Sequence, residues 1–221
     1  MMNALNKMVE WLQAYWSEVV YLSLQHLHIV AVSSALAIIV ALPVGVWMSR
    51  PRNQRHALAV MQVLNIGQAV PKLALLALAM TLVGVGAPAA IFALWVATIL
   101  PITVNTYEGL RAVPPHLLEA AEAMGMTPRE MLFKVEIPNA LIVIFAGLRT
   151  ALAINVGTAP LAFLVGGGGL GELIFTGIDL NDYGMMLAGA IATAGLAMLV
   201  DMLCGLAQHA SVSRGLRLAT R

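Results

Sequence analysis

Charge is what this chain has least of. Lysine plus arginine number 12 and aspartate plus glutamate 11 among 221 residues, or 10% of the chain, against about 25% in a soluble domain. So few charges cannot cover a water-facing surface, and they equally exclude a disordered chain or a charge-laced coiled coil. The net charge of +1 offers no electrostatic reason to bind nucleic acid. One cysteine, Cys204, excludes an internal disulfide. Neither His-Glu-x-x-His nor Gly-x-Ser-x-Gly occurs, so the common hydrolase constellations are missing. What fills the chain instead is apolar, 60% of all residues. It reads as an all-α, polytopic membrane bundle.

A helix needs about 20 mostly apolar residues to cross the hydrocarbon. Five such runs are expected, roughly at 21–48, 57–82, 88–107, 138–165 and 183–208. The second contains Pro71 and Lys72 near its middle, a predicted break whose freed carbonyls would line a cavity. Residues 1–20 lack the continuous apolar core of a signal peptide. There Leu5, Met8, Val9, Leu12 and Trp16 fall at helical spacing beside Trp11, Tyr15 and Tyr21. Two readings stand: a short amphipathic helix at the interface, or an extension of the first span. The tail 209–221 is polar.

On five spans the basic residues segregate. Arg50, Arg52, Arg55, Arg111, Arg129, Lys134, Arg214, Arg217 and Arg221 share one side, and the other side holds only Lys7. The positive-inside rule then puts the N-terminus outside and the C-terminus in the cytoplasm.

The loop between spans three and four, residues 108–137, is far longer than a connection requires. Pro114-Pro115 opens it, and His116–Met124 places Leu117, Ala120, Ala121 and Met124 on one helical face. Gly125 interrupts that helix. Thr127-Pro128-Arg129-Glu130 then has the form of a capping box with proline at the first helical position, which predicts a second short helix before Pro138. Such a pair projects its apolar stripe toward a partner or folds back on its own loops.

Glu119-Ala120-Ala121, then Gly125, then Val135-Glu136-Ile137-Pro138 resembles the EAA signature of bacterial ABC importer permeases, with Val and Ile where Ile and Leu are usual. Gly67-Gln68-Ala69-Val70-Pro71-Lys72, Leu100-Pro101-Ile102, Asn105-Thr106-Tyr107, Ala146–Thr150, Ile154–Ala159 and Gly167–Gly171 are similar to the osmoprotectant (glycine betaine, carnitine, choline) branch. Typical relatives carry Thr-Ile where this chain has Ala69-Val70, and commonly Ser at the place of Lys72. The resemblance implies the type I ABC importer (MetI-like) fold over 21–208, with Glu119–Gly125 as a coupling helix received by a separate cytoplasmic ATPase dimer. ATP and Mg²⁺ would then sit on that ATPase, and no cofactor or metal on this chain. The other implied partners are a separate solute-binding protein, a second permease copy or paralogue, and the lipid of the bacterial inner membrane.

The residues expected to carry coupling are Glu119, Ala120, Ala121, Gly125 and Pro138. Intramembrane polar groups are costly unless paired or facing water, so Asn65, Gln68, Pro71, Asn105, Asn155 and Thr158 are the candidates for a translocation path, with helix–helix hydrogen bonding as the competing role. Lys72 and Arg149 would snorkel, or pair with Glu108 or Asp201. Gly166–Gly171 lacks the Lys-Ser/Thr of a phosphate loop and reads as a flexible turn, or as a binding-protein contact with Glu172, Asp179 and Asp182. His26 and His28 read as interfacial polar residues. A permease for a polar amino acid or methionine is the alternative, and an ion-coupled transporter would leave the EAA segment unexplained.

Overall fold

The computed structural model describes residues 2–212, with side chains from residue 6 onward; Arg214, Arg217, Arg221 and the side chain of Leu5 lie outside them. Every regular element among the described residues is helical. The helices are α1 (Met2–Ala14), α2 (Trp16–Ser49), α3 (Gln54–Ala69), α4 (Lys72–Val83), α5 (Ala87–Arg111), α6 (Pro115–Ala123), α7 (Pro128–Met131), α8 (Ile137–Thr158), α9 (Gly171–Asp179) and α10 (Tyr183–Ser211).

Four apolar helical stretches are long enough to cross a membrane, and α3 with α4 forms a fifth, bent by 100°. The bend falls where proline was expected to place it. Val70 and Pro71 are extended (ψ 127° and 136°), because the residue before a proline is pushed out of the helical region. The first span begins at Trp16, five residues earlier than expected, and α1 is a separate helix turned away at Tyr15 (φ −121°). Trp11 and Leu12 of α1 pack beside Val19, Leu22, Leu170 and Leu173, so the segment folds back on the bundle instead of extending α2.

Helix α5 is the axis of the bundle, and it is reached through small residues. A Cβ on Gly45 of α2 would stand 2.6 Å from Thr106 Cβ, and one on Gly147 of α8 would stand 2.5 Å from Asn105 Cβ. Those two glycines let α2 and α8 touch α5 backbone to side chain, the usual way helices associate in lipid. Along the same helix Ala89, Ala90, Ala93, Leu94 and Ala97 are buried against Ile29, Leu76, Val156 and Ala162.

Two predicted features take a different form. The second short helix of the loop is not separate: α7 runs through a π turn, Leu132–Glu136, directly into α8. Pro138 supplies the reason. A proline inside a helix clashes with the carbonyl four residues back, and a π turn widens the ladder there; the Ile137 N–H donates to Leu132 O, five residues earlier. The glycine run is a packed turn, not a loose one. Gly169 N donates to Gln25 Oε1 at 3.1 Å, Gly86 N to Val165 O at 2.7 Å, and a Cβ on Gly171 would overlap Pro160 O at 1.8 Å.

The turns at 84–86 and 165–171 therefore meet at one end of the bundle. At the other end Arg50 pairs with the buried Glu136, Nη1 donating to Oε1 at 3.0 Å, which ties the end of α2 to the π turn.

Candidate functional site

Two regions gather the residues singled out by sequence: the α6–α7 hairpin and the break between α3 and α4.

Helix α6 ends in a fully hydrogen-bonded reversal. Met126 N donates to Ala121 O at 3.1 Å and Gly125 N to Glu122 O at 2.9 Å, the paired bonds of a Schellman motif. Gly125 has φ +75°, a left-handed conformation that any side chain makes costly. The next turn starts with a complete capping box: Glu130 N donates to Thr127 Oγ1 at 3.4 Å and Thr127 N to Glu130 Oε2 at 3.0 Å. Lys134 Nζ, 2.8 Å from Glu130 Oε1, is the main reason that carboxyl is held down to about 2, with the Thr127 N–H and hydroxyl adding to it.

The expected apolar stripe of α6 is split. Ala121 is buried against its own chain and Leu117 half-buried, whereas Ala120 and Met124 are exposed, as is Glu119. Phe133, further along the hairpin, is also exposed, at 66%. The hairpin thus uses one edge to hold itself together and leaves another uncovered.

At the break, Gln68 solves a problem that Pro101 creates. Pro101 lies inside α5 and has no N–H for the carbonyl of Ala97, four residues earlier. Gln68 Nε2 donates to that oxygen across the helix boundary, at 2.5 Å. Ala97 also lines a narrow cleft with Lys72, Leu75, Leu76, Ala93, Leu94, Thr158 and Ala162. Gln68, Pro71, Lys72 and Thr158 are therefore close neighbours, with the Thr158 hydroxyl donating to Ile154 O at 2.7 Å.

The other path candidates are elsewhere. Asn65 is exposed on α3. Asn105 stands between α5 and α8 and donates to Pro101 O at 2.8 Å. Asn155 is fully buried on the α2 side, donating to Ser33 Oγ and Ser34 Oγ at 2.8 and 2.7 Å.

Other polar groups singled out by sequence also find places in the structure. His26 is 1% exposed, packed inside the bundle. Its Nε2 donates to Val156 O at 3.2 Å, the carbonyl left without a helical donor by Pro160. His28 is exposed. Arg149 pairs with Asp201 through two bonds, 2.8 and 2.6 Å, with both side chains nearly half exposed (42% and 47%). Asp182 caps α10, accepting from Gly184 N and Met185 N. No cluster of metal-ligating side chains occurs among the described residues.

Comparison with known proteins fits this arrangement. Residues 41–217 match the family described as "Binding-protein-dependent transport system inner membrane component". The chain is 49% identical over 195 residues (88% of it, 83% of the relative) to the osmoprotectant import permease protein OsmY of Salmonella typhimurium. It is 39% identical over 213 residues (96% and 97%) to the glycine betaine/carnitine/choline transport system permease protein OpuCB of Bacillus subtilis. Among solved structures, an inward-facing conformation of the MetNI methionine ABC transporter superposes with a TM-score of 0.79 at 26% identity, covering 92% of this chain and 99% of that one. The helical plan, the broken second span and these matches agree, and the chain belongs to the binding-protein-dependent inner-membrane transport components, the permease subunits of ABC importers.

Proposed function

We propose that this permease moves a small osmoprotectant such as glycine betaine, carnitine or choline, delivered by a solute-binding protein and driven by a separate ATPase dimer. The observation that carries the reading is the α6–α7 hairpin. Two consecutive end motifs, the Schellman turn at Gly125 and the capping box at Thr127, make it a stiff projection, and Glu119, Ala120 and Met124 stand uncovered on it. A lever between motor and membrane has to be stiff. Because α7 continues through the π turn into α8, a push on the hairpin is delivered to a spanning helix without an intervening loop.

The described basic residues Arg50, Arg52, Arg55, Arg111, Arg129 and Lys134 all lie at the hairpin end, which supports a cytoplasmic hairpin and an N-terminus outside. The substrate class rests on the activities named for OsmY and OpuCB. The methionine transporter shares the fold at lower identity and is the weaker guide to substrate.

The path is proposed to run beside the α3–α4 break, where Gln68, Pro71 and Thr158 gather, between this chain and a second permease copy or paralogue. The half-exposed Arg149–Asp201 pair supports a covered face on α8 and α10, since a charged pair open to lipid is costly. Reconstituted vesicles holding the permease pair, ATPase and binding protein should take up labelled glycine betaine, carnitine or choline only with ATP. Uptake that follows an ion gradient without the ATPase would overturn the assignment.

A further inference from the structure

Among the charged side chains inside the bundle, Lys72 is the anomaly. Arg149 has Asp201, and Arg50 at the bundle end has Glu136. Lys72 Nζ is shut off from solvent and has no hydrogen-bond partner among the described residues. Taking an ammonium group out of water without a counter-charge is among the most expensive arrangements a protein can hold.

Its surroundings do not relieve the cost. The cleft around it is walled by Leu75, Leu76, Ala93 and Leu94. The two polar neighbours direct their donors elsewhere, Gln68 to Ala97 O and Thr158 to Ile154 O, and neither accepts a bond from Lys72 Nζ. Lys72 is also the first residue of α4, so the helix dipole opposes its charge. The first α4 amide to find a helical acceptor is that of Leu75, which donates to Pro71 O, so the N–H groups before it lack one. Unmatched donors and a bare cation thus collect at one point, on the hinge of a 100° bend. The whole spot wants an anion.

We infer that Lys72 Nζ pairs with the carboxylate of the transported solute when the α3–α4 break opens, making this position the selector for carboxylate-bearing quaternary amines. The inference rests on the osmoprotectant reading above. The chemistry is complementary at both ends: the ammonium group and the start of α4 meet the carboxylate, and the leucine and alanine walls meet the N-methyl groups. Choline has the methyl groups and no carboxylate, so it gains nothing from Lys72.

The test uses the complete reconstituted transporter with Lys72→Met and Lys72→Arg, each checked for normal insertion and normal association with the ATPase. Glycine betaine, carnitine and choline are supplied singly. Lys72→Met should lower betaine and carnitine uptake at least tenfold while any choline uptake stays within twofold, and Lys72→Arg should retain a third or more of the betaine rate. Equal loss in both variants, equal loss for all solutes, or a Lys72→Met protein that still moves betaine normally would overturn the inference. A wild-type complex that moves none of the three would instead overturn the osmoprotectant reading.

Discussion

Removing the amide of Gln68 should matter only while Pro101 is present. Gln68→Leu keeps roughly the side-chain volume and strips the donor from Ala97 O, which the Pro101 ring has already deprived of its helical partner. A buried acceptor left bare costs about 1–3 kcal/mol in soluble proteins, whereas side-chain bonds between helices in membranes average about 0.6 and reach about 1.7 kcal/mol. Gln68 is half-buried, so about 1 kcal/mol is the expected loss. Pro101→Ala restores an N–H four residues from that carbonyl. In its background Gln68→Leu should cost close to nothing, which makes the coupling energy about 1 kcal/mol. Reversible SDS unfolding of the purified chain gives all four corners of the cycle. Strictly additive losses would refute the idea that Gln68 stands in for the missing amide.

Other predictions bear on packing and charge. Gly147→Ala should destabilise by about 1–3 kcal/mol, since its Cβ would meet Asn105 Cβ at 2.5 Å, whereas Gly205→Ala, with nothing within 4 Å, should be neutral or slightly stabilising; SDS unfolding of the pair checks both. Arg149→Asp should lower the amount of permease in the membrane, and the double swap Arg149→Asp with Asp201→Arg should restore it, as read by quantitative immunoblot; no recovery would deny the pair's importance. Glu130 should titrate near 2 by carbon NMR of labelled protein and move up in Lys134→Met. Because its folded pKa is lowered, the capping box contributes above the ordinary carboxylate range and is lost as pH falls through about 2; an ordinary midpoint in the native chain would contradict this.

The amount of this fold that is legible in the sequence depends on the range of the signal. Proline and glycine act locally, and so the break at Pro71, the stop at Gly125 and the capping box at Thr127 could be read directly. A substituted carbonyl partner cannot. That His26 serves Val156 and Gln68 serves Ala97 follows from pairs 130 and 29 residues apart. The local part of the signal is the proline: it leaves an acceptor four residues earlier, which a polar side chain from another helix can answer, as at Ala97 and Val156. The same holds for Arg50 and Glu136, 86 residues apart. Pro138 follows a π turn within one long helix, a shape that local punctuation resembles but does not specify. The α6 stripe split for a similar reason: periodicity defines a face but not which part of it the chain's own hairpin will cover.

The measurement that bears most directly on the lever is ATP-driven uptake by Gly125→Asp in the reconstituted complex, with membrane insertion and ATPase association quantified beside it. A side chain at φ +75° should disrupt the Schellman turn and abolish uptake while the protein still inserts at normal levels. Normal uptake per inserted molecule would contradict the account.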